Sequence, residues 1–291
     1  MRFAGALPIA LALASVAAPA PPDDTAFHDP RPVTIRGYDG DAMEPFITKD
    51  GRYLLFNNRN DPPEKTDLFY ARRIDDRAFQ FKGEIKGANS PALDGVASLD
   101  SAGTLYFVST RSYAQSFSTL YRAGFKDGVA SGVEIVPGVS PQVPGMVNFD
   151  AEISGDGQTL YFVDGDFRGA GPKPAAARIV VARRDGDRFD RVAGGERLLA
   201  AVNSDGLDYA PSISEDGLEL FFTRLDRDAS SRPRVAILRA ARLDTSAPFG
   251  PPQRVAAADG FVEAPSLSAD ARRLYFHKRV GDRFVIFEAE R

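Results

Sequence analysis

The feature that most constrains the fold is a segment that occurs five times along the chain. Its first copy runs from Glu44 to Phe56 and reads EPFITKDGRYLLF. Each copy ends in Leu-x-Phe, and the anchoring phenylalanines are Phe56, Phe107, Phe162, Phe222 and Phe276. Their spacings of 51, 55, 60 and 54 residues are near-constant, which is typical of a repeat architecture. We therefore expect one domain built from five copies of a single structural unit.

Each copy is predicted to form strands separated by polar turns. The turn between the first two strands is Asp-Gly at Asp50-Gly51, Asp156-Gly157 and Asp216-Gly217, and both residue types tolerate the left-handed backbone of a hairpin turn. The last copy has Asp270-Ala271 instead, which predicts a slightly strained turn. Third strands are expected at DLFYA, TLYRA, RIVVA, VAILRA and FVIFEA, and fourth strands at GEIKG, VEIVPG, ERLLAA and PQRVAAA. No helical periodicity competes with this pattern outside the N-terminus, so the predicted fold class is all-β.

The fifth copy has no fourth strand, because Arg291 follows its third strand directly. The segment PVTIR, from Pro32 to Arg36, reads as the missing strand. An early strand that completes the last unit would close a ring and leave no open sheet edge. The sequence therefore predicts a five-bladed β-propeller of four-stranded blades over residues 32–291, closed by this N-terminal strand.

The repeat pattern also resembles that of a known family. A proline, a small polar residue, Asp-Gly and then Leu-aromatic-Phe resemble the WD40-like repeats of TolB-type β-propellers, with the proline at Pro45, Pro211 and Pro265. The resemblance covers nearly the whole chain after residue 31. It implies a β-propeller fold, but propellers of this kind have binding, scaffolding and enzymatic roles alike, so it does not choose a function.

The N-terminus predicts export. Residues 1–18 contain Arg2 followed by an apolar run rich in Ala and Leu, as in a secretory signal peptide. The alternative is a membrane anchor, but the run is only about as long as the shortest spanning helix and contains Pro8. Residues 19–31 are rich in Pro and Asp and are predicted to be a flexible lead-in that includes His28. We expect a periplasmic or secreted protein with no membrane span after cleavage.

Composition excludes several classes of function. The chain has no cysteine, so disulfides, thiolate metal sites and a cysteine nucleophile are excluded. The net charge of -4 argues against a general nucleic-acid binder. His277 is the only histidine besides His28; with no G-x-S-x-G elbow in the chain we expect it to be structural. No cofactor and no metal site are predicted, and the chain is expected to be a monomer.

Charged residues recur at one end of the repeats. Carboxylates gather where the first strands begin and are predicted to ring the channel mouth: Asp41, Glu44, Asp94, Asp150, Glu152, Asp208 and Glu263. Arginines recur just after the second strand, where they would pair with this ring or meet an anionic ligand: Arg59, Arg111, Arg224 and Arg279. The long connections between second and third strands should lie on the same loop-rich face, and ligand sites usually lie on such loops.

The carboxylate ring allows structural, cation-binding or catalytic roles. Our first interpretation is a binding or scaffold module that takes an unknown protein, peptide or small ligand on the loop-rich face, with no catalytic residue. The alternative is a secreted carbohydrate-active hydrolase that uses carboxylates such as Glu44, Asp150 and Glu263 as its acid and base.

Overall fold

The computed structural model describes residues 26–60, 62–169, 173–227 and 230–291. The predicted signal peptide (residues 1–18) and residues 19–25 of the predicted lead-in lie outside the described residues. Within the described residues the chain is almost entirely β-strand, which confirms the predicted all-β class.

Two short strands come first, β1 (His28–Pro32) and β2 (Thr34–Arg36). The remaining strands fall into five units, one for each repeat copy, which we number in chain order. Unit 1 contains β3 (Met43–Ile47), β4 (Tyr53–Asn57), β5 (Leu68–Arg73) and β6 (Ala78–Glu84). Unit 2 contains β7 (Asp94–Leu99), β8 (Thr104–Ser109), β9 (Leu120–Lys126) and β10 (Val129–Ile135). Unit 3 contains β11 (Met146–Ile153), β12 (Thr159–Asp166), β13 (Ala176–Asp185) and β14 (Arg188–Arg191). Unit 4 contains β15 (Leu207–Ile213), β16 (Glu219–Arg227), β17 (Pro233–Ala241) and β18 (Gln253–Arg254). Unit 5 contains β19 (Val262–Leu267), β20 (Arg273–Val280) and β21 (Arg283–Glu290).

Consecutive strands within each unit pair antiparallel. The described helices are short: α1 (Tyr113–Ser116), α2 (Gly195–Leu198) and a 3-10 helix at Pro63–Lys65. No helix among the described residues has the length and apolar character needed to cross a membrane.

The N-terminal strand differs from its prediction. β1 pairs antiparallel with β21, so the strand beside the last unit is His28–Pro32 and not Pro32–Arg36. Residues 28–31 are therefore strand, although they were predicted to belong to a flexible lead-in. The Val33 amide still donates to the Ile286 carbonyl at 2.8 Å, and the chain then crosses to unit 1, where β2 runs parallel to β6. The β-branched residues of PVTIR do form a strand, but against a different neighbour.

One predicted fourth strand is a helix. The first three residues of the segment ERLLAA lie in α2, and the fourth strand of unit 3 is β14, a few residues earlier. Gly194 has a left-handed φ of +72° just before the helix. Glu, Arg and Leu all have good helix propensity, and the segment has no β-branched residue to favour a strand.

The core lies between neighbouring units. The first strands contact each other in the cyclic order β3, β7, β11, β15, β19 and back to β3. All five anchoring phenylalanines are buried. The hairpin glycines Gly51, Gly157 and Gly217 have left-handed φ of 68–72°, and Ala271 at 57° is the strained equivalent. We call the end of the units that bears these hairpin turns the turn side, and the opposite end, with the second-to-third connections, the loop side.

Candidate functional site: a carboxylate cluster on the loop side

All five first strands are distorted at the same repeat position. The register with the second strand shifts at this point in every unit, as in a β-bulge. The residue there has a left-handed φ of 50–55°, although none of the five is glycine: Glu44, Val96, Asp150, Ala210 and Ala264. Non-glycine residues rarely adopt this conformation, and it persists where the surrounding structure holds it.

Side chains of the preceding unit accept the amides of four of these five residues. The Glu44 amide donates to His277 Nδ1 at 3.2 Å, and the Val96 amide donates to Asn57 Oδ1 at 3.0 Å. The amides of Ala210 and Ala264 donate to Asp150 Oδ2 and Thr223 Oγ1 at 2.9 and 3.0 Å. Asn57, Thr223 and His277 each directly follow an anchoring phenylalanine. His277 is thus part of a repeated structural contact, which also fixes its ring orientation.

Three carboxylates meet at the loop side, each from a different unit. Glu44 and Asp150 occupy the left-handed position of units 1 and 3, and Glu263 precedes that position in unit 5. We call these three residues the carboxylate cluster. Burial raises the pKa of Glu44 well above its usual range, and the charges of Asp150 and Glu263 raise it further. Burial also raises the pKa of Asp150 to about 7, against the hydrogen bond from the Ala210 amide.

The pKa of Glu263 is shifted in the opposite direction. Burial by itself would raise the pKa of Glu263, but hydrogen bonds from His277 and Tyr209, with the positive charge of Lys173, lower it below its usual range. The Tyr209 hydroxyl donates to Oε1 of Glu263. Since His277 Nδ1 accepts the Glu44 amide, its Nε2 carries the proton and donates to Oε2 of Glu263 at 3.3 Å. The cluster thus holds one ionised carboxylate beside two that retain protons more readily.

The space between the first strands is narrow. A cavity of about 20 Å³ is lined by residues of all five first strands, including Glu44 and Asp150. This volume holds about one water molecule. Ligand pockets usually measure about 300–1,000 Å³, so a ligand of ordinary size reaches the cluster from the loop side and does not enter between the strands.

Other predicted site residues form ion pairs away from the cluster. Asp94 and Asp208 are fully buried, and each pairs with an arginine at 2.6 Å, namely Arg111 and Arg224. Each also accepts the amide and hydroxyl of a serine, Ser90 or Ser204.

The remaining three pairs vary in exposure. Asp41 pairs with Arg59 at 2.9 Å, and Arg279 lies 3.8 Å from the exposed Asp282. Glu152 is buried toward the turn side, 3.5 Å from Lys49. Of the predicted residues, therefore, Glu44, Asp150 and Glu263 come together and the other eight do not join them.

Tyr209 and His277 form hydrogen bonds with Glu263 of the carboxylate cluster, and neither was predicted as a site residue. Tyr209 and Glu263 occupy the same repeat position in adjacent units, directly before the left-handed residue. Aligning the five copies at that position would have placed the two side by side. Among the described residues, no group of three His, Cys, Asp or Glu side chains has the arrangement of a metal site.

Solved structures with a similar fold include several glycoside hydrolases. A protein described as glycoside hydrolase matches with a TM-score of 0.62 and 11% identity, over 89% of this chain and 90% of that one. An endo-arabinase from Bacteroides thetaiotaomicron VPI-5482 matches with a TM-score of 0.55 and 13% identity, over 90% and 98%. The fold is a β-propeller. At such low identity these matches show the fold alone.

TolB from Acinetobacter baumannii is also similar, with 15% identity and a TM-score of 0.46 over 86% of this chain. TolB proteins are thus among the solved structures that the chain matches, and the chain spans 55% of that TolB chain. No protein-family model matches the sequence, and no curated protein matches it.

Proposed function

We propose that the protein is an exported, five-bladed β-propeller that binds a cationic peptide or small ligand on its loop side. The five units would be the blades, with β1 completing the last one. The cyclic contacts of the first strands and the pairing of β1 with β21 support a closed ring. The signal-like sequence of residues 1–18 supports export.

The observation that carries the binding proposal is the lack of a direct arginine or lysine ion pair at the carboxylate cluster among the described residues; Lys173 acts on Glu263 only through its more distant charge. Within the described residues, Glu44, Asp150 and Glu263 form no ion pair with an arginine or lysine, whereas Asp41, Asp94 and Asp208 do. Burial and mutual repulsion raise the pKa values of Glu44 and Asp150. A positively charged ligand group would relieve that repulsion and favour the ionised forms.

The test is the affinity of a hexalysine peptide, measured by calorimetry at low salt. Glu263→Gln removes the ionised member of the cluster, and we expect roughly tenfold weaker binding, about 1.4 kcal/mol. Asp282→Asn is the matched control, because it removes one fully exposed loop-side charge and should change affinity little. Equal affinities for the two variants would overturn the proposal.

Binding of this peptide should also depend on pH. The pKa of Asp150 is about 7, so Asp150 gains a proton and loses its charge as the pH falls below 7, while the lysines stay charged. We expect affinity to drop several-fold between pH 8 and pH 5.5. Asp150→Asn should show a smaller change over the same range, and a pH response identical to that of the unsubstituted protein would contradict the assignment.

A second candidate is a glycoside hydrolase with the same cluster as its site. The observation that favours it is the divergence of pKa values: Asp150 can hold a proton for donation near neutral pH while Glu263 stays ionised. Such a divergence is how paired carboxylates take acid and base roles. The test is hydrolysis of aryl glycosides and polysaccharides, arabinan included, by the protein and by Asp150→Asn and Glu263→Gln. Activity lost in both variants would favour the hydrolase over the binding module, and absence of hydrolysis across the panel would count against it.

A further inference from the structure

Arginines bridge neighbouring units on the turn side. In four units an arginine stands two residues after the alanine of the third strand: Arg73, Arg184, Arg242 and Arg291. Each donates from Nε to a carbonyl of its own hairpin turn at 2.6–2.8 Å. Each guanidinium also lies 4.3–5.0 Å from the centre of a phenylalanine ring. We call these four residues the bridging arginines.

The same guanidinium groups contact the preceding unit. Arg73 donates to the Tyr275 hydroxyl at 2.9 Å and Arg242 donates to the Tyr161 hydroxyl at 3.2 Å. Arg184 donates to the hydroxyl of Tyr106. Arg291 instead pairs with the carboxylate of Glu219. Each bridging arginine is therefore held by a turn carbonyl, an aromatic ring and a side-chain oxygen of its neighbour.

Unit 2 has Phe125 at this position. Its amide donates to the Gly103 carbonyl at 2.8 Å, which is the bond that the Arg73 amide makes to Arg52 in unit 1. The ring of Phe125 packs edge-on against Tyr53 and Tyr70 of unit 1, with centroids 6.3 Å away in each case. The contact between units 1 and 2 is thus aromatic on the turn side, and among the described residues no guanidinium takes the place of a bridging arginine there.

A wide cavity lies at this contact. It measures about 590 Å³, and it is lined by the hairpin turn of unit 1, by the hairpin turn of unit 2 between Leu99 and Gly103, by Phe125 to Asp127, and by Glu215 and Ala269. The groove between units 3 and 4, where Arg242 forms part of the wall, measures about 320 Å³. The larger volume is within the range of ligand-binding pockets.

Each kind of group that holds a bridging arginine has a counterpart around this cavity. Tyr53 and Phe125 supply aromatic rings. Ala102, between the cavity-lining residues Ser101 and Gly103, has the turn carbonyl that corresponds to that of Gly51. Asp127, which accepts the Tyr53 hydroxyl at 2.9 Å, and the exposed Glu215 supply carboxylates. Of the basic residues that line the cavity, Arg52 pairs with Asp50 and Lys49 pairs with Glu152. Lys126 also lines the cavity and would repel an incoming cation.

We infer that the turn-side cavity between units 1 and 2 binds the guanidinium group of an arginine side chain that belongs to a peptide partner. A planar guanidinium stacks on aromatic rings and donates to several oxygens at once, which an ammonium does not do equally well. The cavity lies on the opposite side from the carboxylate cluster, so this inference does not depend on the proposed loop-side function.

The test uses N-acetyl-arginine amide as the probe, with N-acetyl-citrulline amide as its neutral, nearly isosteric control. We expect the arginine probe to give saturable NMR shifts at the amides of Tyr53, Gly103, Phe125 and Asp127, and the citrulline probe to give none. Phe125→Arg would supply the missing arginine from the chain, and we expect it to abolish these shifts. Asp127→Asn should weaken binding about threefold, as for an exposed ion pair.

Two further variants separate this site from other sites of cation binding. Glu263→Gln, on the loop side, should leave the shifts at Tyr53 and Phe125 unchanged. Asp282→Asn is the charge-matched control for Asp127→Asn. If Phe125→Arg does not fold, the affinities of Asp127→Asn and Asp282→Asn for the arginine probe test the inference instead. Absence of saturable shifts, equal binding of the citrulline probe, or equal affinity in those two variants would overturn the inference.

Discussion

At the scale of single residues, the positions of the carboxylate cluster could be predicted from the sequence, but the pKa values of its members could not. Glu44, Asp150 and Glu263 were predicted from their position before the first strands, because repeat copies place equivalent residues at equivalent points. Their opposite pKa shifts were not predictable, because the lowered pKa of Glu263 depends on Tyr209 from unit 4 and on His277 from the neighbouring strand of unit 5. The pairs of Arg111 with Asp94 and of Arg224 with Asp208 correspond to one of the two alternatives that the sequence left open for these arginines.

Asp150 should make stability depend on pH. The folded-state pKa of about 7 lies above the ordinary value of 3.8, so folding favours the protonated form. Its stabilising effect is complete below about pH 4 and is lost as the pH rises through 7. Asp150→Asn removes this loss while keeping an oxygen for the Ala210 amide. We expect the variant to gain a few kcal/mol relative to the parent at pH 8 compared with pH 4, measured by urea unfolding, and a pH-independent difference would contradict this account.

At the scale of elements, the N-terminal strand was the main error of prediction. β1 has the sequence HDPRP, and its two prolines and charged residues are not typical of a strand. Proline is tolerated on sheet edges but not in central strands, and β1 lies at the edge of its sheet. Its neighbour Phe27 fixes the segment: it is 6% exposed, packs on Phe221 at 5.7 Å and lies beneath the Arg291 guanidinium. Phe27 thereby serves unit 5 as Phe79, Phe189 and Phe249 serve units 1, 3 and 4.

Phe27→Ala should therefore destabilise the whole domain. Removing a buried phenylalanine typically lowers the free energy of unfolding by about 3 kcal/mol. Here it also removes the aromatic ring on which the Arg291 guanidinium packs. Phe261→Ala is the matched control, because Phe261 is 42% exposed and its loss should cost far less. The measurement is the free energy of unfolding from urea denaturation, and equal losses for the two variants would show that the N-terminal segment does not hold the last unit.

At the scale of the whole molecule, the contact between units 1 and 2 differs from the others near the centre as well. Ser98, Glu152, Ser212 and Ser266 each accept an amide from the next unit, namely Ile153, Ile213, Leu267 and Ile47. The equivalent residue of unit 1 is Phe46, which has no acceptor for the amide of Leu99. The sequence predicted five equivalent units, and the structure shows which pair departs from equivalence.

This contact should open before the others. We expect the Leu99 amide to exchange with deuterium faster than those of Ile47, Ile153 and Leu267 under native conditions, because local opening precedes global unfolding where contacts are fewest. Phe125→Arg should slow that exchange by restoring a bridge between units 1 and 2. Uniform protection of the four amides would indicate that the missing hydrogen bond and missing arginine are without effect.

Five similar units would by themselves offer a partner five similar docking positions. Phe125 breaks this symmetry, since among the described third strands it alone replaces the arginine. A partner that inserts a guanidinium there would bind with one-to-one stoichiometry and in a single orientation relative to the five units, so that one substitution in an otherwise repetitive scaffold would determine how a complex is oriented.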